Sequence, residues 1–331
     1  MDNNHITVIG AGAWGTALAV ILNRTGADVA LWGRNDILMR SIEEERMNTQ
    51  YLPDIFIEPA IHITSDISVV AASKSVILAV PAQTVRTTCI TLADMIDTDV
   101  DIIIAAKGVE RGSLALMSEI VESILPYNPC VILSGPNFAD EAAKGLPTAT
   151  VLACKHEAVR DRLQFTMGGK LFRPYAIDDV ISVQIGGAVK NILALACGMA
   201  DGAGMGENAR AALITRGLVE MQRLAEVKGG NPVTLNGLAG MGDLILSCTS
   251  TRSRNMAFGR KIGQMHLTDD ISELTSARLA EGVMTAEAVY EISLKQGIRM
   301  PICVMVSNIL KGNLTLEHGI DELLSRPIGM E

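Results

Sequence analysis

Gly10-Ala11-Gly12-Ala13-Trp14-Gly15 follows directly on Ile6-Thr7-Val8-Ile9, and that order decides how the first part of the chain is read. The β-branched run predicts a strand. Thr16 to Arg24, with Ala17, Leu18, Ile21 and Leu22 at helical spacing, predicts a helix. Gly26-Ala27-Asp28 then turns the chain into Val29-Ala30-Leu31-Trp32, completing a βαβ unit. A Gly-x-Gly-x-x-Gly spacing is weak by itself in a chain with 30 glycines, but between a strand and a helix it becomes specific. In that setting Gly10 permits the tight turn, Gly12 lets backbone approach a pyrophosphate, and Gly15 lets the helix pack close to the strand. The helix N-terminal amides face the phosphates. The ligand expected is a dinucleotide.

The end of the second strand selects its form. An NAD-preferring site carries Asp or Glu there to accept from the ribose 2′-hydroxyl. This chain has Gly33-Arg34-Asn35. A guanidinium offers a fork of donors to a 2′-phosphate and a flat face to adenine, so NADP is expected as the preferred dinucleotide and NAD as an accepted one. A solvated arginine at a strand end is the plainer reading of the same residue.

At 331 residues the chain has room for two cores. With 48% hydrophobic and 20% charged residues its composition is that of an ordinary globular protein. A net charge of -9 and 3% aromatics argue against nucleic acid, which wants a basic stripe or stacking platforms. Any anionic substrate must therefore be held by a local cationic pocket. Met1-Asp2-Asn3-Asn4-His5 has no basic n-region, so no signal peptide is expected. The six cysteines are scattered singly and read as buried thiols in a reducing cytoplasm, and the five dispersed histidines give no metal site. Ile185 to Ala200 is the longest small-and-apolar stretch, but Lys190 and Asn191 interrupt it, so no membrane span is expected.

Up to about residue 185 strand-like runs alternate with helical ones, as in a parallel sheet covered on both faces. Further strands are expected at 75–80, 101–106, 130–133, 148–153 and 172–176. Ligands of such sheets collect at the strands' carboxyl ends, which points to Pro81-Ala82-Gln83, Lys107-Gly108 and Ser134-Gly135-Pro136-Asn137. Beyond Ser182 the apolar periodicity is helical over 185–200, 208–227, 284–295 and 303–311, with helix breaks at 202–206 and 237–242. The expected fold is α/β: a Rossmann-type doubly wound sheet over residues 1–186, then a predominantly helical domain over 187–331.

Gly186-Gly187-Ala188-Val189-Lys190-Asn191 sets a lysine in an apolar helix. Three and four residues away on its face stand Gly186, Gly187 and Ala194, with Cys197 a turn further, all small. Two helical glycines cost about 1 kcal/mol each relative to alanine. The expectation is that this leaves space above an amine able to exchange a proton with a bound oxygen. A structural lysine paired with a carboxylate is the alternative. Asp243, in Gly242-Asp243-Leu244, either caps a helix or takes part in chemistry. Ser253-Arg254-Asn255 is either a solvated basic loop or a phosphate grip.

Taken with Ala106-Lys107-Gly108, Ser134 to Ala139, Ala188 to Asn191, Gly206-Glu207-Asn208 and Ala280-Glu281-Gly282, these motifs resemble the bacterial NAD(P)-dependent glycerol-3-phosphate dehydrogenases over most of the chain. The resemblance implies reversible reduction of dihydroxyacetone phosphate to sn-glycerol 3-phosphate for phospholipid synthesis by a cytoplasmic homodimer. It makes Lys190 the proton donor and acceptor, with Lys107 and Asp243 as further catalytic residues. Lys107, Gly135, Asn137, Lys190, Asp243, Ser253, Arg254 and Asn255 would line the substrate. Gly10, Gly12, Ala13, Trp14, Gly15, Arg34, Lys107, Ala139, Arg254, Leu279 and Glu281 would touch the dinucleotide. Asn137 stands where the family more often has Ser or Thr, and its amide can still donate. A ketopantoate-type dehydrogenase shares the glycine loop and a helical lysine but leaves Ser253-Arg254-Asn255 unexplained. A cofactor sensor without turnover leaves the small-residue face around Lys190 unexplained.

Overall fold

The computed structural model describes residues 5–265 and 281–325. The chain divides into two compact units, Met1–Lys107 with Leu116–Gln184, and Gly108–Ala115 with Ile185–Glu331.

The first unit is built on strands β1 (His5–Ile9), β2 (Asp28–Trp32), β3 (Met47–Asn48), β4 (Leu52–Phe56), β5 (His62–Thr64), β6 (Ser75–Leu78), β7 (Asp101–Ile104), β8 (Cys130–Ser134), β9 (Thr148–Ala153) and β10 (Phe172–Ile177). Eight of them form one sheet in the order β10-β9-β8-β7-β6-β1-β2-β5, and β3 pairs with β4 as a hairpin. Its helices are α1 (Ala13–Arg24), α2 (Asp36–Glu45), α3 (Val85–Leu92), α4 (Met117–Ile124), α5 (Ala139–Ala143) and α6 (Glu157–Met167). Strands β1, β6 and β7 are buried at every position, as parallel strands covered on both faces must be. The sheet is parallel at every pairing, as expected from the sequence, except that β8 and β9 run antiparallel. The connection between them holds only the five-residue α5, too little for a crossover helix, and an antiparallel neighbour needs none. The β3–β4 hairpin and the short edge strand β5 were not foreseen.

The chain order reverses between β1 and β6, each of which has its next sequential neighbour on the opposite side. This is the switch point at which doubly wound sheets bind ligands.

The helical unit comprises α7 (Val180–Gly202) from Ile185 onward, α8 (Gly206–Val227), α9 (Asp243–Thr249), α10 (Arg254–Gly263), α11 (Glu281–Gln296), α12 (Pro301–Leu310) and α13 (Leu316–Leu324). Residues 238–242, expected as a break, instead form one wide helical turn that runs into α9, with Gly240 seated against the Leu235 backbone. By length and a mean hydropathy of 1.6, α7 could cross a membrane, but 89% of its apolar window is buried within the protein, as in a core helix. Glycine makes its closest packing possible. A side chain on Gly259 or Gly263 of α10 would strike the carbonyls of Leu195 or Met199, and one on Gly198 or Gly202 of α7 would strike those of Met256 or Arg260. The two helices meet backbone to backbone.

Glu220 of α8 is 1% exposed and accepts from the Ile302 and Cys303 amides at 2.7 and 3.0 Å, capping α12. Burial raises its carboxyl above the ordinary value of 4.5, outweighing the two amide donors. A folded-state pKa above the unfolded one means the folded chain binds the extra proton. The stability contribution is therefore complete below 4.5 and is lost as pH rises through the folded value. Glu220→Gln cannot titrate, so the stability difference between the parent and the variant should shift against the parent as pH rises. Denaturant unfolding from pH 4 to 8 checks this, and a constant difference would refute it.

Candidate active site

At the switch point Gly10 adopts φ +115°, and a Cβ there would lie 2.6 Å from the Ala79 carbonyl at the end of β6. Gly15 is pressed against the Gly10 carbonyl. Gly12 is different: among the described residues no heavy atom lies within 4 Å of where its Cβ would be. The loop's outer side is thus open to backbone approach, as a pyrophosphate seat requires, while its inner side is locked. Sequence reasoning missed the lock's second half. Buried Asn48 donates to the Ala11 carbonyl at 2.9 Å and to Thr16 Oγ1 at 2.8 Å, fastening the β3–β4 hairpin to the loop. Ala13 and Trp14 open α1 and lie partly buried on the core.

Arg34 follows β2 and is exposed, and Asn35 caps α2 by accepting from the Ile37 and Leu38 amides. Lys107 Nζ donates to the Gly135 carbonyl at 3.2 Å, uniting the carboxyl ends of β7 and β8. Gly135 has no space for a side chain, since a Cβ would sit 2.9 Å from Thr150 Cα. Asn137 donates to the Ala149 carbonyl at 2.8 Å. Ala139 begins α5.

In the helical unit Lys190 Nζ donates to Asp243 Oδ1 at 2.6 Å and to Ser247 Oγ at 2.8 Å. The lysine side chain is 12% exposed and the aspartate 1%. Among the described residues two of the ammonium's three protons are thereby taken and the third is not. Asp243 lies in the first turn of α9 and Ser247 one turn on, so both reach the amine from one helix face. Ser247 was not foreseen, although its i+4 spacing from Asp243 was the available signal. Beside it the Cys248 thiol is pushed far up by its hydrogen bond to Cys197 and by burial, which keeps this wall uncharged.

The space expected above Lys190 at Gly186 is corrected. A Cβ there would strike the Ala239 carbonyl, so the glycine admits the turn that leads into α9 and Asp243. Ser253 caps α10, its Oγ accepting from the Met256 amide at 3.4 Å. Arg254 is exposed on the first turn, where the helix dipole favours an anion. Asn255 is buried and bonds to Asn191 and Gly282. Glu281 is the first residue of α11, and Leu279 lies outside the described residues. No group of metal-ligating side chains occurs among the described residues.

A glycine loop at the switch point of a doubly wound sheet, together with an ion-paired lysine in a helical unit, defines a dinucleotide-dependent oxidoreductase. Residues 5–160 match the N-terminal part, and residues 179–321 the C-terminal part, of the NAD-dependent glycerol-3-phosphate dehydrogenases. The chain belongs to that family. It is 44% identical over 330 residues to the glycerol-3-phosphate dehydrogenase (NAD(P)+) of Rhodospirillum rubrum, covering 99% of this chain and 94% of that one. The crystal structure of the glycerol-3-phosphate dehydrogenase of Coxiella burnetii superposes with a TM-score of 0.92 at 38% identity, covering 98% and 99% of the two chains. A ketopantoate reductase from Ralstonia eutropha shares the fold alone, with a TM-score of 0.62 at 15% identity over 93% of this chain and 98% of that one.

Proposed function

We propose that Lys190 donates and accepts the proton in the reaction of this family, the reversible NAD(P)-dependent reduction of dihydroxyacetone phosphate to sn-glycerol 3-phosphate. The observation that carries the assignment is an ammonium that, among the described residues, gives two of its three protons, to Asp243 and Ser247. The bound dinucleotide supplies the hydride. As the carbonyl at C2 gains negative charge, Lys190 stabilises the oxygen and protonates it, and in the reverse direction its amine takes the proton back. Asp243 keeps the amine aimed, and Lys107 lends a second positive charge.

Ser253, Arg254 and the open end of α10 suit the substrate phosphate by charge and donor geometry. Gripping that end orients C2, so that binding far from the reacting carbon becomes rate. Gly135, Asn137 and Asn255 complete the substrate set. Gly10, Gly12, Ala13, Trp14, Gly15 and Ala139, with Arg254, Leu279 and Glu281, make up the proposed dinucleotide-binding set. An NADP preference rests on Arg34 in place of an acidic residue. The homodimer, the cytoplasmic location and the role in phospholipid synthesis rest on the family resemblance, and the six unpaired cysteines suit a reducing compartment.

NADPH should be oxidised when dihydroxyacetone phosphate is added. Arg34→Ala should raise the KM for NADPH by about tenfold or more, the worth of a charge-assisted hydrogen bond, and leave NADH within about twofold. Equal losses for both would remove Arg34 from recognition of the 2′-phosphate.

A further inference from the structure

Asn255 is 8% exposed and its side chain is turned into the protein. The Gly282 amide meets it at 3.2 Å, and an amide N–H can be met only by the oxygen of the carboxamide, so Oδ1 faces Gly282. Nδ2 therefore faces Asn191 and donates to its Oδ1 at 3.0 Å, and Asn191 is itself 5% exposed. Gly282 has no room to carry a side chain, since its Cβ would sit 2.7 Å from Asn255 Oδ1 and 2.9 Å from the Asn191 carbonyl. Three helices are joined at this point: α7 through Asn191, α10 through Asn255 and α11 through Gly282. Each joined residue directly follows one assigned to ligand chemistry, namely Lys190, Arg254 and Glu281.

We infer that Asn191, Asn255 and Gly282 form a buried latch that sets the proton-donating amine, the phosphate grip and the dinucleotide-facing carboxylate in mutual register. Asn191 is then a positioning residue, Asn255 adds a positioning role to its proposed place in the substrate set, and occupancy of the dinucleotide site is coupled to the placement of Lys190. This rests on the ligand roles proposed above for Lys190, Arg254 and Glu281. The physical reason for coupling is that each bond is buried. Breaking one strands a donor or acceptor away from water, and the helices shift to relieve it.

Asn191 has no assigned contact with the dinucleotide, which makes it the informative position. Asn191→Ala should raise the Kd for NADPH, read by fluorescence titration, by about fivefold or more, and lower kcat as well. Asn255→Ala removes the donor to Asn191 together with the acceptor for Gly282, so it should reproduce both effects. Asn191→Asp retains an acceptor for Asn255 and should bring the Kd back to within about twofold of the parent. Combined, Asn191→Ala and Asn255→Ala should do no more than Asn255→Ala alone, because that substitution already cuts the bond to Asn191. An unchanged Kd in Asn191→Ala, or additive losses in the double variant, would overturn the latch. The control is Lys190→Met: if it keeps its turnover the proposed chemistry fails, whereas loss of turnover there with an unchanged Kd in Asn191→Ala refutes the latch alone.

Discussion

Lys190→Met is expected to lower kcat by about 10²- to 10⁴-fold, the usual worth of a general acid, while NADPH still binds. Methionine matches the lysine stem in length and removes only the amine. The substitution also strands Asp243, which is 1% exposed, without its counter-ion. Removing one partner of a buried pair costs about 3–5 kcal/mol, so a loss of activity could be confused with a loss of fold. Lys190→Met combined with Asp243→Asn separates the two, because a neutral amide needs no counter-ion. That double variant should regain most of the stability and none of the turnover. Activity near the parent level in a folded variant would exclude Lys190 as the proton donor.

Gly259→Leu is expected to destabilise the helical unit by about 3 kcal/mol or more, beyond the usual loss on overpacking, since the obstruction is backbone. Gly259→Ala is the sharper comparison. Helix propensity alone predicts a gain of about 1 kcal/mol. Contact with the Leu195 carbonyl predicts a loss, because α7 and α10 would have to separate to admit even a methyl group. The shift also displaces the first turn of α10, so the KM for dihydroxyacetone phosphate should rise with the loss of stability. Thermal unfolding and initial rates measure both, and a stabilised Gly259→Ala would show that the helices do not meet at this point.

Much of the sheet unit was legible because its signals are local. Strand, glycine loop and helix at the N-terminus are contiguous, and the locked inner face and open outer face of the loop follow from three glycines within a span of six residues. Helix periodicity similarly marked α7, α8, α11 and α12. The antiparallel β8–β9 junction was obscured because β9 carries the same β-branched and apolar residues whichever way it runs. The hairpin was missed because β3 is two residues long, too short for any period to register.

Within the site, residue types were legible and their partners were not. Lys190 was singled out for its small-residue face, yet the reason given for Gly186 was wrong: that glycine serves a backbone contact with Ala239. Ser253 and Asn255 were grouped with Arg254 as three donors to one phosphate, although the first also caps α10 and the second joins three helices.

The alternation of strands and helices around the first βαβ unit, the glycine loop within it, the arginine after β2 and a lysine set in an apolar helix were legible in the sequence alone, because periodicity, turn chemistry and charge act over a few neighbouring residues. The pairing of Lys190 with Asp243 across 53 positions, the link from Asn191 to Asn255 across 64, and the glycine seam beneath them were decided only by tertiary structure. Such contacts depend on how closely two backbones approach, and that distance is set by every side chain packed between them.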